Sequence, residues 1–579
     1  MVGISAKHVV GTVLLEPFDE QALIKPRAVS AQTSLNTGSR IAARPPPLEY
    51  AAAAMTEPSS HAPPPSSASG PSPFAMRSPA DESPLSNVVA TAASAVPARV
   101  AVARAAQAGW ADKSLAERAR VLESVRDRAL DRAESIARRV HLETGKPEIE
   151  VLLAEVLPTA DVVGYWTQSI EELLDAVEVQ LDKLTFPGKT ALIHREPRGV
   201  IGLITPWNYP VAIPLRTLVP ALLAGNAVVF KPSEISPRSG AIVGELFEGL
   251  LPPGVLEVVQ GGGDVGAALA SADVDLVVFT GSVATGRKVA HACAERVSPC
   301  ALELGGKDAA IVLADANLPR AVNGVVWGAL TNAGQNCASI ERVYVEQSIA
   351  QAFTDQVVAA VKALKLPDEV GPLTTAAQRA TVADHVDAAK RAGAKVLAGD
   401  EQSGKGTAFA PAVLSVSGDD TPLMKEETFG PVIPIAVVAN VEEAIARANA
   451  SRFGLTASIW TKDVQRAEQI AHKLRAGVVT INNHAFTGAL PGAPWSGVGD
   501  TGYGITNSPL ALEGLTRPRL VLVDRNRAQR ELWWYPYTPV LRTIALSMAV
   551  LRSHTSGFFK KIASLFRLLG AFPKRLMGG

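Results

Sequence analysis

Cysteine is nearly absent: three residues in 579, at positions 293, 300 and 337, with no Cys-x-x-Cys pair and no His/Cys cluster. That argues against a disulfide framework and against a structural zinc site, and it fits a reducing cytoplasm. Net charge is missing too, because 56 basic residues balance 56 acidic ones, so the chain as a whole carries no polyelectrolyte signature for nucleic acid. The opening run Met1-Val2-Gly3-Ile4-Ser5-Ala6-Lys7-His8 lacks the basic and apolar regions of a secretory signal, and Glu16, Asp19 and Glu20 fit poorly with a transit peptide. No apolar run is long enough to span a bilayer either. Thr538 to Leu551 comes nearest, but Arg542 interrupts it and it falls short of about twenty residues.

What is present is apolar content, 47% of a chain too long for one ordinary core, so two or more packed units are expected. From about Thr37 to Pro97, Ala, Pro and Ser dominate, and such a composition cannot offset its ordering entropy with buried surface. Residues 1–97 are therefore expected to be a disordered tail, and Met76 inside it stands as an alternative start of translation. Helical periodicity runs from Val100 to about Ala176, broken at Glu143-Thr144-Gly145-Lys146-Pro147. Between Gly199 and Val312 the runs Val200–Ile204, Ala227–Phe230, Val255–Val259, Leu276–Phe279 and Ala309–Leu313 alternate with helical stretches, the βαβ rhythm of a parallel sheet. A second alternation follows from Arg320 to about Val479.

Two glycine loops compete for a phosphate. Gly261-Gly262-Gly263-Asp264-Val265-Gly266 has the GxGxxG form, but no acidic residue stands about twenty positions later, where Thr280-Gly281-Ser282-Val283 is found; a tight connection is the simpler reading. Thr280-Gly281-Ser282-Val283-Ala284-Thr285-Gly286 follows the next apolar strand and can seat a pyrophosphate on a helix N-terminus. Lys231 and Glu234, after the strand Val228-Val229-Phe230, suit ribose hydroxyls or, equally, an exposed charged loop. Cys337, in the polar turn Asn332-Ala333-Gly334-Gln335-Asn336-Cys337, is by itself either a small buried hydrophobe or a nucleophile.

Six ordered motifs decide between these readings: Pro206-Trp207-Asn208-Tyr209-Pro210, Lys231-Pro232-Ser233-Glu234, Phe279-Thr280-Gly281-Ser282, Glu303-Leu304-Gly305-Gly306-Lys307, Gly334-Gln335-Asn336-Cys337 and Glu427-Thr428-Phe429-Gly430-Pro431. From about Ala98 to Val523 the chain resembles the aldehyde dehydrogenase superfamily of the NAD(P)-dependent, hydrolytic type. The resemblance implies two α/β domains, a Rossmann-like nucleotide-binding domain and a catalytic domain, plus a small β oligomerisation extension. It implies Cys337 as the thiolate nucleophile, Asn208 with the Cys337 N–H as oxyanion donors worth about 3 kcal/mol each, and Glu303 as general base. It assigns the cofactor to Trp207, Lys231, Ser233, Glu234, Gly281, Ser282, Gly286, Leu304, Glu427 and Phe429, and places the Gly261 turn near the adenine side. Glu234 favours NAD over NADP, since a carboxylate repels a 2′-phosphate.

Asn336 stands where many relatives carry Cys, Val or Thr, and with Trp495 it is expected to line the substrate tunnel, an aromatic wall that favours apolar or aromatic aldehydes. Succinate-semialdehyde-type specificity is an alternative, but no clear arginine signature for a substrate carboxylate supports it. A CoA-acylating enzyme and a non-catalytic scaffold are the others. The expected layout is residues 98–303 with 480–504 for NAD, 304–479 for catalysis, 184–196 with 505–524 for a dimer or tetramer, and 525–579 as a basic amphipathic tail. That tail holds ten Lys or Arg and one acid, Glu531. Phe558, Phe559, Ile562, Leu565, Phe566 and Leu569 share one helical face, the build of an interfacial helix. Two expectations follow: peripheral membrane contact through 538–579, or packing of the extension on a subunit interface.

Overall fold

The computed structural model of the protein describes residues 73–576, apart from 184, 400–405, 485 and 528. Five strands lie parallel in the order Leu256–Val258, Ala227–Lys231, Val200–Ile204, Leu276–Thr280, Cys300–Glu303. Every residue of Val200–Ile204 and Ala227–Lys231 is buried, which is why these strands read as unbroken apolar runs rather than alternating ones. Along the chain the order is 3-2-1-4-5. The direction of winding reverses beside Val200–Ile204, and an open α/β sheet leaves a crevice at such a point, outside the carboxyl ends of its strands.

The sequence rhythm groups Ala309–Leu313 with this sheet. Instead Asp308–Val312 pairs with Ile340–Glu346 and Thr456–Trp460 in a second sheet, and Cys300–Glu303 takes the fifth place in the first. Four residues are too few for a period to show, and Gly305-Gly306 turns the chain from one sheet to the next. The second sheet runs Lys395–Ala398, Ala412–Val416, Val432–Val438, Ile340–Glu346, Asp308–Val312, Thr456–Trp460, Val478–Ile481, parallel except at its first pair. Its core is the largest in the molecule, Val- and Ala-rich on both faces.

The helices Val96–Ala111, Leu115–Asp131, Ala133–Thr144 and Leu157–Leu174 precede the first sheet. Ser114 and Glu117 form a reciprocal capping box at the second of them, and Gly145, at φ +78°, ends the third. A three-stranded antiparallel sheet joins Thr516–Asp524 to Lys189–Pro197 and Val177–Glu178.

Three expectations need correction. Of the tail, residues 1–72 lie outside the described residues, but Pro73–Arg77 and Pro84–Val89 form a hairpin. Thr407 donates to the Pro79 carbonyl at 3.1 Å and Thr91 to that of Gln260 at 2.7 Å, so external partners supply the order that the local composition lacks. Within 505–524, Ser508–Leu515 is a helix that buries Ala511, Leu512 and Leu515, and the strand begins only at Thr516. Lastly, Val478–Ile481 belongs to the second sheet, whereas Gly502 bridges Glu303 at the edge of the first.

Candidate active site

A cavity of about 720 Å³ opens at the carboxyl ends of the first sheet's strands and is closed on its far side by Gln378 and Thr381 of the helix Ala376–Arg391 and by Cys337, Glu427 and Phe429, which precede the strands Ile340–Glu346 and Val432–Val438. Trp207, Asn208, Lys231, Ser233, Glu234, Gly281, Ser282, Leu304, Cys337, Glu427 and Phe429 all line it. At one end the Lys231 Nζ lies 2.9 Å from Glu234 Oε2, with Gly263 and Gly266 opposite. The Gly261 turn is thus more than a connection, since two of its glycines form a wall. In the middle, Ser282 caps the helix Val283–Glu295, accepting from the Thr285 N–H at 3.3 Å. A capped 13-residue helix presents its remaining N–H groups and dipole to an anion. Gly286 is one turn below the opening, where a Cβ would stand 2.4 Å from Leu304, so it seats Leu304 rather than facing the cavity.

The other end is built on ion pairs that the sequence does not advertise. Lys307 and Glu341 form a buried pair. Glu341 accepts the N–H groups of Thr428 at 2.7 Å and Phe429 at 2.8 Å, and Lys307 donates to the Thr428 hydroxyl at 3.1 Å. This clamps the segment carrying Glu427 and Phe429, holding Phe429 at φ +54° with its ring edge-on to Trp207 at 5.6 Å. Glu427 Oε1 accepts the Gly306 N–H at 3.1 Å; burial, reinforced by Glu341, pushes its carboxyl up to about 8.

Cys337 follows a left-handed bend at Asn332, Ala333 and Gly334. A Cβ on Gly306 would meet the Cys337 carbonyl at 2.1 Å, so only glycine lets the two turns pack. The Asn208 amide donates to the Gln335 carbonyl at 3.1 Å, and Asn332 donates to the Asn208 and Gln335 carbonyls at 3.0 Å. A primary amide has two N–H donors, so Asn208 keeps one in reserve beside the cavity. Behind it, the fully buried Lys146 Nζ donates to the Asn208 carbonyl at 2.8 Å and to Glu155 at 2.6 Å, while Glu155 accepts the Val211 and Ala212 N–H groups at 2.9 and 3.0 Å.

Glu303 ends its strand beside Gly504, where a Cβ would come within 3.0 Å of its side chain, and its Oε1 has no hydrogen-bond partner. Burial pushes its carboxyl up to about 7, opposed by the Thr506 hydroxyl and the Arg216 charge. Burial likewise raises the Cys337 thiol, with Glu427, Asp308 and Glu303 acting in the same direction and Arg216 against them. Asn336 is not simply tunnel wall: its Oδ1 accepts the Ala338 N–H at 3.1 Å and lies 3.8 Å from Cys337 Sγ, which makes it a brace for the loop. Trp495 packs with Ala338 and Leu455, and Cys337 packs against that cluster. Buried His484, its imidazole pushed down to about 4 by burial and hence neutral, contacts the Ala338 carbonyl through Nε2 at 2.7 Å.

The walls fit a dinucleotide: a charged Lys/Glu pair at one end, a helix N-terminus at the middle, and a carboxylate with two aromatic rings next to a thiol at the other. The aldehyde dehydrogenase family profile matches residues 66–521. This chain belongs to the aldehyde dehydrogenase family. The chain is 37% identical over 434 residues to the 4,4'-diapolycopene aldehyde oxidase of a Methylomonas species, covering 74% of this chain and 82% of that one. It is 35% identical over 478 residues to a protein of Mycobacterium ulcerans described as a putative succinate-semialdehyde dehydrogenase [NADP(+)] 2, covering 80% and 92%. The NAD+ complex of an aldehyde dehydrogenase from Bacillus cereus superposes with a TM-score of 0.75 at 32% identity, over 79% of this chain and 94% of that one. As an aldehyde dehydrogenase, the protein oxidises an aldehyde to a carboxylic acid through a cysteine thiohemiacetal and thioester, and NAD(P) serves as its hydride acceptor.

Sequence reasoning missed the support of the site more than its actors. Lys146 sat in a segment read only as a helix break, and its partner Glu155 is nine residues away. Arg216 was missed although it stands three residues after the cavity-lining Ile213, on the same helical face. It makes no hydrogen bond or ion pair among the described residues, and its Nε is buried and unpartnered. Burial lowers its pKa, with the nearby charges of Glu303 and Cys337 opposing.

Proposed function

We propose that the protein is a hydrolytic, NAD-dependent aldehyde dehydrogenase in which Cys337 is the nucleophile, Asn208 and the Cys337 N–H hold the oxyanion, and Glu303 is the base that releases a free acid. The observation that carries this reading is Glu303, a carboxyl with an unpartnered oxygen and a pKa near neutrality, electrostatically coupled to the thiol. Glu303 takes the thiol proton and the thiolate attacks the aldehyde carbon. The Asn208 amide and the Cys337 N–H then receive the developing oxyanion. Glu303 passes that proton to solvent and, once the hydride has left for the nicotinamide, takes a proton from water. The resulting hydroxide adds to the thioester carbon, and the Cys337 thiolate leaves with the acid released. Lys231, Ser233 and Glu234 would hold the adenosine ribose, Gly281 and Ser282 the pyrophosphate, and Trp207, Leu304, Glu427 and Phe429 the nicotinamide half. The Glu234 carboxylate, next to Lys231, supports NAD over NADP.

Glu303→Gln is expected to slow both the first NADH release and steady turnover, each about 10²- to 10³-fold, because the same carboxylate takes the thiol proton and activates the water. The native enzyme's rate should climb between pH 6 and 8, because the basic form of Glu303 grows as pH rises through about 7. That limb should vanish in the variant. Normal steady-state turnover in Glu303→Gln, or a product that forms only with CoA, would remove the hydrolytic reading.

Arg216 favours a narrower substrate. An unpartnered guanidinium near the thiol is costly unless something pairs with it, and an aldehyde bearing a carboxylate, as in the name of the Mycobacterium ulcerans relative, would supply the partner. Arg216→Leu should raise KM for a short semialdehyde about 100-fold and leave an apolar aldehyde within about threefold; equal loss for both would count against it. The exposed apolar residues Leu520 to Val523 on Thr516–Asp524 support a homo-oligomer through that sheet, and three unpaired thiols suit the cytoplasm.

A further inference from the structure

The last fifty residues present a surface that the dehydrogenase reaction does not use. The linker after Thr516–Asp524 is pinned to the body: Lys189 Nζ reaches Glu531 at 2.6 Å and Asp524 at 2.8 Å, and Phe186 meets Trp533 edge-on at 5.9 Å. The helices Pro539–Arg552 and Phe558–Leu576 follow as a packed pair. Arg575 folds the second helix back onto the linker, donating to the Leu532 carbonyl at 3.2 Å, to that of Pro536 at 3.0 Å and to that of Trp534.

The pair is packed the opposite way from a helix of a globular core. Ser547, Ser564, Ala571 and Arg575 are buried, together with Ile544. Phe558, Phe559, Ile562, Leu565, Phe566 and Leu569 point to solvent, with Phe559 84% and Phe566 69% exposed. At 100° per residue these six cover an arc of about 120°, a continuous apolar stripe. Exposed Lys560, Arg567 and Lys574, spaced i, i+7, i+14, form a basic row on the other side of the helix, about 120–160° round from the centre of the stripe. Trp534, Tyr535 and Tyr537 are exposed on the adjoining linker. Among the described residues no helix is long and apolar enough to cross a membrane, so the stripe suits a surface rather than a span.

We infer that this helix pair docks the enzyme on an anionic lipid bilayer, with the Phe/Leu/Ile stripe entering the acyl boundary and the basic groups of the tail, Lys560, Arg567 and Lys574 among them, drawing it to the charged surface. Charge selects this occupant over a second copy of the chain. Residues 525–579 carry ten basic groups and one acid, a balance of +9, so two such tails repel each other, whereas an anionic leaflet attracts each basic group by about fivefold in binding. The exposed Trp534, Tyr535 and Tyr537 of the linker are of the kind that suits the amphipathic boundary of a bilayer.

The test is flotation of the full chain with phosphatidylglycerol/phosphatidylcholine vesicles and with pure phosphatidylcholine at physiological salt. It compares the native protein with Phe559→Asp/Phe566→Asp and with Lys560→Glu/Arg567→Glu/Lys574→Glu. All these side chains are exposed and none lines the cavity beside Cys337, so NADH formation from a water-soluble aldehyde should be unchanged and serves as the control for folding. The native protein is expected to float with the anionic vesicles only. The charge variant should lose about 100-fold in binding and the apolar variant at least about tenfold. Native protein that stays in solution, or variants that bind as the native chain does, would overturn the inference. So would a native protein that binds no vesicle while Phe559→Asp/Phe566→Asp halves its mass in sedimentation, because the stripe would then cover a second copy. Each outcome is read apart from activity, so it stands or falls independently of the proposed chemistry.

Discussion

Cys337→Ala should abolish aldehyde-dependent NADH formation, a loss of about 10⁴-fold or more, with the thermal midpoint nearly unchanged. The loss is large because no other thiol can take over. Cys293 is buried in the core under the first sheet, and burial pushes its thiol up to about 12. Cys300 lies on the Cys300–Glu303 strand with its sulfur 3.0 Å from the Tyr503 hydroxyl. The fold should survive, because the loop is held by Asn332, Gln335 and Gly306 rather than by the sulfur. The decisive measurement is single-turnover NADH absorbance with short, aromatic and long-chain aldehydes. If Cys337→Ala stays within about tenfold of the native rate for any of them, another nucleophile must be at work.

The second large effect lies behind the site. Lys146→Met should destabilise the protein by about 3–5 kcal/mol, because it strands the Glu155 carboxylate where both side chains are wholly buried. The same change frees the Asn208 carbonyl from its 2.8 Å contact, so kcat should fall as well, through looser placement of the proposed oxyanion donor. Replacing both partners, Lys146→Met with Glu155→Gln, should recover part of the stability, since glutamine oxygen can still accept from Val211 and Ala212. Urea unfolding followed by tryptophan fluorescence measures all three proteins. A shift below about 1 kcal/mol for Lys146→Met would show that the pair is not held as described.

The contrast between these two predictions shows what was legible. Cys337, Asn208 and Glu303, the residues proposed for the chemistry, stand inside short motifs, so a linear reading can single them out. Lys146 and Glu155 are ordinary helix-region charges until folding removes their water, and burial is not written in residue type. The Gly281-Ser282 turn was legible because glycine and a capping serine mark a helix start. The wall at Gly263 and Gly266 was undervalued because their role depends on where Lys231 lies. Arg216 was invisible for a related reason: an arginine in an apolar helix acquires meaning only when its neighbours turn out to be Cys337 and Glu303. The hairpin Pro73–Arg77/Pro84–Val89 reads as tail in the sequence because its order comes from Thr407 and Gln260, hundreds of residues away.

Sequence alone therefore determined the family and the parallel-sheet class, and it singled out the thiol, amide and carboxyl proposed for the chemistry, because those depend on residue type and local spacing. It determined the amphipathic stripe of the last helix as well. Only the tertiary structure decided that Cys300–Glu303 closes the first sheet and that Glu303 and Glu427 are buried enough to titrate near neutrality. It alone turned the stripe at Phe558–Leu569 toward solvent. Each of these depends on what excludes water from a side chain, and that is set by contacts between residues far apart in the chain.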